Sequence, residues 1–265
     1  MAKLNARIGL QPLTFKGVDF PTVCQKAKEA GYGGIECGVG GWLDKLGELQ
    51  KILDDNGLKC ASTYTTVHPF DKEKAAADAD SIVRIGEGLK KLGASECVVA
   101  AAFVREKPSS ESHAKEVVQA YGETLNKVGD RLNRIGVKAV IHNHIHTLLE
   151  RPEEIDWFSE ATDPTKVYWG FDSAQLSAGG ADAVEYFRRY ADRVKYTHLK
   201  DRKIGHETYG NFAELGTGFI HFPSILQVLA DAGYNGWLIA ELDESKTTPF
   251  ESVKHNCDYL KGLLK

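Results

Sequence analysis

The sequence has no CxxC pair, no block of like charge, no bilayer-length apolar run and no Pro/Ser-rich linker. Its five cysteines (Cys24, Cys37, Cys60, Cys97, Cys257) are odd in number and scattered, which argues against a disulfide framework and against a zinc ribbon. They are expected to be buried free thiols in a reducing cytoplasm. With 33 Lys plus Arg against 37 Asp plus Glu and a net charge of -4, nothing marks a nucleic-acid or anionic-membrane surface. No segment approaches the roughly 20 apolar residues of a membrane-spanning helix. Met1 to Arg7 leads directly into an apolar strand pattern without a signal-type apolar core, so the expected location is cytoplasmic. The Gly-rich phosphate loop that opens a doubly wound sheet is also missing.

What remains is an ordinary globular composition, 42% hydrophobic and 26% charged, with a mean hydropathy of -0.32. Short apolar runs alternate with longer amphipathic segments from end to end, which is the pattern of repeated βα units. Strands are predicted at 7–13, 34–37, 59–64, 96–101, 138–142, 167–172, 194–199 and 237–241. Helices are predicted near 19–30, 42–56, 73–92, 110–135, 152–162, 181–190, 221–232 and 249–264. Several helix candidates stop at a glycine-containing turn such as Gly31, Gly57, Gly93, Gly136 or Gly233, and Pro152 and Pro223 fall in first turns. Eight such units imply an α/β fold, a single (β/α)8 TIM barrel with 1–265 as one domain.

Functional residues of such a barrel sit at the C-terminal ends of its strands. The polar residues there are Gln11, Glu36, Thr63 with Tyr64 and Thr65, His142-Asn143-His144, Asp172, His198 with Lys200, and Glu241. His142 or His144, Asp172, His198 and Glu241 form a mixed nitrogen and oxygen donor set. It suits Mn²⁺, Co²⁺, Fe²⁺, Zn²⁺ or Mg²⁺ without selecting among them. Side chains two apart on a strand share a face, so both histidines can reach the mouth. Singly, each residue reads as structural: a strand-end His as a hydrogen-bonded core residue, an Asp before a helix as an N-cap. Four at matched strand ends outweigh that reading. Glu36 alone reads as a solvated carboxylate, and Gln11, Tyr64 and His68 divide between lining a pocket and packing. His113, His206 and His255 read as surface or loop residues.

The segments Val140-Ile141-His142-Asn143-His144, Gly170-Phe171-Asp172-Ser173-Ala174-Gln175-Leu176, Tyr196-Thr197-His198-Leu199-Lys200-Asp201 and Leu215-Gly216-Thr217-Gly218 carry a resemblance. So do Phe222-Pro223 and Gly233-Tyr234-Asn235-Gly236-Trp237 leading to Glu241. The chain resembles the xylose isomerase-like barrels of sugar isomerases, epimerases and endonuclease IV-type proteins, and within them the inosose dehydratases. The resemblance implies one divalent ion, Mn²⁺ or Co²⁺ before Mg²⁺, Fe²⁺ or Zn²⁺, held by His142, Asp172, His198 and Glu241. It also implies removal of a proton next to a carbonyl, with Glu241 or His144 as base and Lys200 or Arg202 steadying the oxyanion. Glu36, Asn143, Gln175 and Arg202 are then the candidates for holding the substrate.

Two positions depart from the wider pattern. Epimerases of the family usually carry Glu where His142 stands, which disfavours a two-carboxylate epimerisation. Gln175 stands where many relatives have His, so a neighbouring contact has changed. The expected reaction is dehydration of a small polyhydroxy ketone, with isomerisation or epimerisation through an enediolate as the alternative. An endonuclease IV-like phosphodiesterase would need a basic groove, and a non-catalytic sugar-binding barrel would bind sugar regardless of metal. The expected partner is a small carbohydrate, with no nucleic acid or membrane, and homo-oligomers are compatible with the sequence.

Overall fold

A computed structural model of the chain describes residues 4–104, 111–205 and 211–265. Eight parallel strands close into a barrel: β1 (Arg7–Leu10), β2 (Gly34–Glu36), β3 (Lys59–Val67), β4 (Glu96–Ala101), β5 (Lys138–His142), β6 (Val167–Asp172), β7 (Val194–Leu199) and β10 (Trp237–Ala240). The last strand pairs with both β7 and β1 and shuts the ring. Around it lie α1 (Phe20–Ala30), α2 (Leu46–Asp55), α3 (Lys72–Lys91), α4 (Lys115–Arg134), α5 (Pro152–Ala161), α6 (Ser173–Ala178), α7 (Ala183–Arg189), α8 (Phe222–Asp231) and α9 (Pro249–Leu263). Among the described residues no helix is long and apolar enough to cross a membrane.

Strands covered on both faces need continuous apolar sequence, and β4 (Glu-Cys-Val-Val-Ala-Ala) is buried at every position. The main core fills the space between strands and helices, whereas Ala61, Val98, Val140, Tyr196, Trp237 and Ile239 pack inside the ring. Trp237 sits beside the starts of β1 and β2, with the Arg7 guanidinium 4.2 Å above its ring. Gly34 must be glycine because a Cβ there would collide with that indole. Helices end as their glycines predict: Gly31 closes α1 in the left-handed region at φ 93°, its N–H bonded back to Ala27 and Lys28.

Two register shifts re-aim side chains near the C-terminal ends of the strands. One, between Ile35 and Glu36, sets Glu36 beside Ser62. The other, between Trp169 and Gly170, sets Asp172 beside His198. Such irregularities re-aim residues that strict alternation would send elsewhere.

Several boundaries differ from those read from sequence. β1 stops at Leu10 because Pro12–Phe15 turn into a 3-10 segment capped by Gln11, whose Oε1 accepts from the Leu13 N–H at 2.6 Å. β3 continues to Val67, paired with β4 as far as Ala101. Gly40 and Gly41 hold residues Val39–Lys45 in a 3-10 segment, so α2 starts only at Leu46. The short α6 and an antiparallel hairpin of β8 (Asp201–Arg202) and β9 (Phe212–Ala213) were not expected. His206 lies outside the described residues.

Candidate active site

The strand ends bring His142, Asp172 and His198 together, with one potential ligating atom from each all within 4.8 Å of one another and all three residues buried. Asp172 ends β6 and caps α6. One oxygen, Oδ1, accepts from the N–H groups of Ala174 and Gln175 at 2.8 Å each, as an N-cap does. Its other oxygen, Oδ2, is buried without a hydrogen bond. Burial raises Asp172 to about 7, against the pull of Lys200.

Glu241 follows β10 directly and borders the cluster on the side of His198. Its Oε2 lies 3.1 Å from His198 Nδ1, within ion-pair distance but out of hydrogen-bond alignment. Its Oε1 is 2.6 Å from Lys200 Nζ. Burial works against ionisation of Glu241, but Lys200 and His198 outweigh it and pull its pKa down to about 2. Lys200 is wholly buried, lies 2.7 Å from Asp243 and 3.6 Å from Asp172, and is held firmly protonated: burial opposes the charge, and these carboxylates overcome it.

His198 has two distinct faces. Nδ1 looks at His142 Nδ1 (3.0 Å) and Glu241, while Nε2 meets Glu36 Oε2 at 3.1 Å. The Glu36 oxygen also accepts from Ser62 Oγ (2.7 Å) and the Tyr196 hydroxyl (3.0 Å). A carboxylate behind a ligating histidine fixes the ring and its tautomer. Burial disfavours the charged ring, yet Glu241, Glu36 and Asp172 together raise His198 to about 9. His142 is backed by the Gly170 backbone and not by a carboxylate, and burial with the neighbouring rings and Lys200 drives it well below the usual histidine range.

The residues present fit a divalent ion. The imidazoles of His142 and His198 converge with Asp172, whose Oδ2 makes no hydrogen bond, and Glu241 Oε2, also without one, lies 3.1 Å from His198; these are hard and borderline donors suited to a cation. Beside it opens a cavity of about 370 Å³ lined by Gln11, Leu13, Tyr64, Thr66, Ala101, Ala102, Phe103, His142, His144, Thr147, Glu241 and Asp243. Tyr64 covers the centre, edge-on to His142 and stacked at 6.4 Å on His198. Its phenol is kept protonated, first by burial and then by Glu241 and Glu36. Phe103 presents an exposed ring edge-on to His144.

Of the two strand-five histidines, His142 joins the cluster and His144 does not. His144 Nδ1 lies 2.6 Å from the Ile145 carbonyl and its Nε2 lies 2.9 Å from Gln175 Nε2. Since the carbonyl requires an N–H, Nδ1 donates there and Nε2 accepts from the amide. Burial, then Lys200, lowers His144 to about 4.

The four expected substrate holders lie elsewhere, for reasons set by their neighbours. Glu36 is drawn under His198 by Ser62 and Tyr196. Asn143 bridges to the backbone of Asp172, accepting from its N–H at 2.9 Å and donating to its carbonyl at 3.3 Å. Gln175 locks His144 and accepts from the Ile145 N–H. Arg202 reaches the Ser177 carbonyl at 3.2 Å. None of the four is among the described residues that line the cavity.

Gln11 and Tyr64 do line the cavity, while Thr63 and Thr65 bond to the backbone at Val39 and Val98. His68 pairs on the surface with Asp78 at 2.8 Å, and His255 meets the Leu215 carbonyl at 2.9 Å. His113, expected at the surface, is mostly buried against Glu154. Sequence reasoning missed Asp243 and Phe103. Asp243 was accessible to the same two-residue spacing that linked His142 with His144; Phe103, past the end of β4, gave no signal. All five cysteines are buried and free.

A family model described as xylose isomerase-like TIM barrel matches residues 24–263. The chain is 30% identical to an inosose dehydratase of Lacticaseibacillus casei (strain BL23), with 100% of this chain and 98% of that protein covered. Among solved structures it superposes on the 3-keto-D-glucoside 4-epimerase YcjR of E. coli with a TM-score of 0.79 at 17% identity, covering 97% and 99% of the two chains. It also superposes on the IOLI protein with a bound zinc atom, with a TM-score of 0.79 at 17% identity, covering 97% and 98%.

Proposed function

Because the chain belongs to the xylose isomerase-like TIM barrel family, we propose that it is a divalent-metal-dependent enzyme that dehydrates a small polyhydroxy ketone, an inosose or related keto-sugar. The observation that carries this reading is the convergence of His142, Asp172 and His198, with Glu241 3.1 Å from His198 at the cavity wall and one oxygen each of Asp172 and Glu241 left without a hydrogen bond. These four residues would hold the ion. When bound, it supplies Lewis acidity toward a substrate carbonyl.

The chain's own groups account for the rest. Glu241 is ionised, lines the cavity and is the base that takes the proton next to the carbonyl. His144 is the weaker candidate, because its accepting nitrogen already receives the Gln175 amide and would have to release it first. Lys200 steadies the negative charge on Glu241 and Asp243. Tyr64 offers a phenolic donor to a substrate oxygen. As the C–H electron pair forms the new double bond, the bond from carbon to the β-hydroxyl breaks, and that hydroxyl leaves as water with the proton that Glu241 removed, so no redox partner is required.

Dehydration is favoured over epimerisation by the cavity's acids. Glu241 and Asp243 are the carboxylates among its described lining residues, and they stand two residues apart on one segment. A base and an acid on opposite faces of a sugar would need a second carboxylate on another wall, and His142 stands at the strand-five position. The test is to strip the protein with a chelator and reload portions with Mn²⁺, Co²⁺, Mg²⁺ or Zn²⁺. Each is offered inososes, ketohexoses and 3-keto-sugars. An ultraviolet-absorbing enone or dione formed only with metal is expected. An isomeric sugar without that absorption would replace the dehydratase reading with an isomerase.

A further inference from the structure

The Leu215-Gly216-Thr217-Gly218 run has no part in the cluster, yet it is tied to the residue next to Lys200. Asp201 is fully buried, and its carboxylate gathers four backbone donors. Its Oδ1 accepts from the N–H groups of Arg202 (2.7 Å) and Ile220 (3.2 Å), and Oδ2 from Gly216 (2.9 Å) and Gly218 (2.8 Å). The two glycines follow from this arrangement. A Cβ on Gly218 would run into the Asp201 carboxylate and the Arg202 carbonyl, and Gly216 has φ 77°. The same segment includes β9, whose Phe212 pairs with Arg202 across the hairpin and sets its ring 4.4 Å from Lys200 Nζ.

We propose that Asp201 is a positioning residue: by gathering the backbone of this segment it fixes Phe212 over the Lys200 ammonium, keeping that cation out of water and directed at Glu241, Asp172 and Asp243. Coulombic attraction is several times stronger in a dry interior than in solvent, so the ring's cover sets how tightly Lys200 holds Glu241. The consequence for catalysis rests on the proposed role of Glu241; the physical claim about Lys200 does not. Asp201→Asn is nearly isosteric but has one acceptor oxygen in place of two, so its NH₂ faces one pair of backbone donors whichever way the amide turns.

The experiment labels the Mn²⁺-loaded protein with isotopically coded acetic anhydride and reads each lysine by mass spectrometry. Exposed Lys51 serves as the reagent standard, and Lys138, part-buried beside Glu96 at the other end of the barrel, reports general loosening. In Asp201→Asn and in Phe212→Ala, Lys200 should react at least tenfold faster than in the parent protein. Lys51 and Lys138 should stay unchanged and Mn²⁺ content within twofold. Phe212→Ala leaves the four bonds to Asp201 in place, so it tests the cover even if Asp201→Asn fails to fold. Parental Lys200 reactivity in either folded variant overturns the proposal, as does loss of Mn²⁺ together with Lys138 protection. The labelling can be read whether or not an inosose is turned over, so failure of the dehydratase reading and failure of this proposal are separate results.

Discussion

Replacing Glu36 with Gln keeps the shape of the group behind His198 and removes its negative charge. In the native site Glu36 Oε2 takes three donors, from Ser62, Tyr196 and His198, while Oε1 is buried without a partner. The glutamine carbonyl can keep the three donors, which forces its NH₂ into the place of Oε1, where nothing accepts it. Because Oε1 is already without a partner in the parent, the orphaned NH₂ replaces an orphaned oxygen, and the loss of stability should come from the weakened bonds to Ser62, Tyr196 and His198, whose acceptor is no longer charged. The imidazole also loses the charge that makes it a stronger ligand, and changes of this kind typically weaken metal affinity by about 10- to 100-fold. That corresponds to about 1.4 to 2.8 kcal/mol. The assay is competition for Mn²⁺ against a fluorescent chelator, with thermal melts of the metal-free protein run alongside. A lower melting temperature and a Kd at least tenfold weaker are expected. A folded variant whose Kd stays within threefold of the parent would show that the Glu36 contact does not tune the site.

Chelation should abolish turnover while far-UV circular dichroism stays unchanged, because the apolar core between strands and helices does not depend on the ion. Loss of the barrel with the metal would count against this. Glu241→Gln should lower kcat by about 10² to 10⁴ with substrate binding much less affected. Metal content must be measured on the same sample, and near-normal kcat in a metal-loaded variant would move the base to His144. Asn143→Ala should destabilise the fold by about 1 to 3 kcal/mol, since it strips partners from the Asp172 backbone in a buried place. Denaturant unfolding of the metal-free protein reads this directly, and an unchanged midpoint would refute the brace.

The strands were legible because a parallel barrel buries both faces of each strand, which leaves apolar runs such as Cys97-Val98-Val99-Ala100-Ala101 that few other structures require. Their ends were less so, since ends are decided by caps and pairing. Gln11 ends β1 by turning back on Leu13, and β3 lengthens only because β4 lies alongside. The six residues of α6 are too few to show a helical period, and two-residue strands such as β8 and β9 leave no pattern. These depend on Asp172 and Asp201, carboxylates whose partners lie in the backbone and cannot be read from side-chain types.

The site divides along the same line. His142, Asp172 and His198 were found because a position at the end of a strand fixes both height and direction, and three strands repeat it. Direction fails as a guide where a polar side chain has several neighbours to choose among. Glu36 shares the strand-end height of the others, yet Ser62, Tyr196 and His198 offer it three donors below the mouth, and a buried carboxylate goes where donors are. Gln175 makes the same point from a helix. Its amide both donates to His144 and accepts from Ile145, so a residue that reads as a substrate contact instead fixes which nitrogen of His144 carries the proton. The groups nearest the proposed chemistry were therefore legible one strand at a time. Those that hold them in place are joined across two to four elements, and only the assembled barrel brings them together.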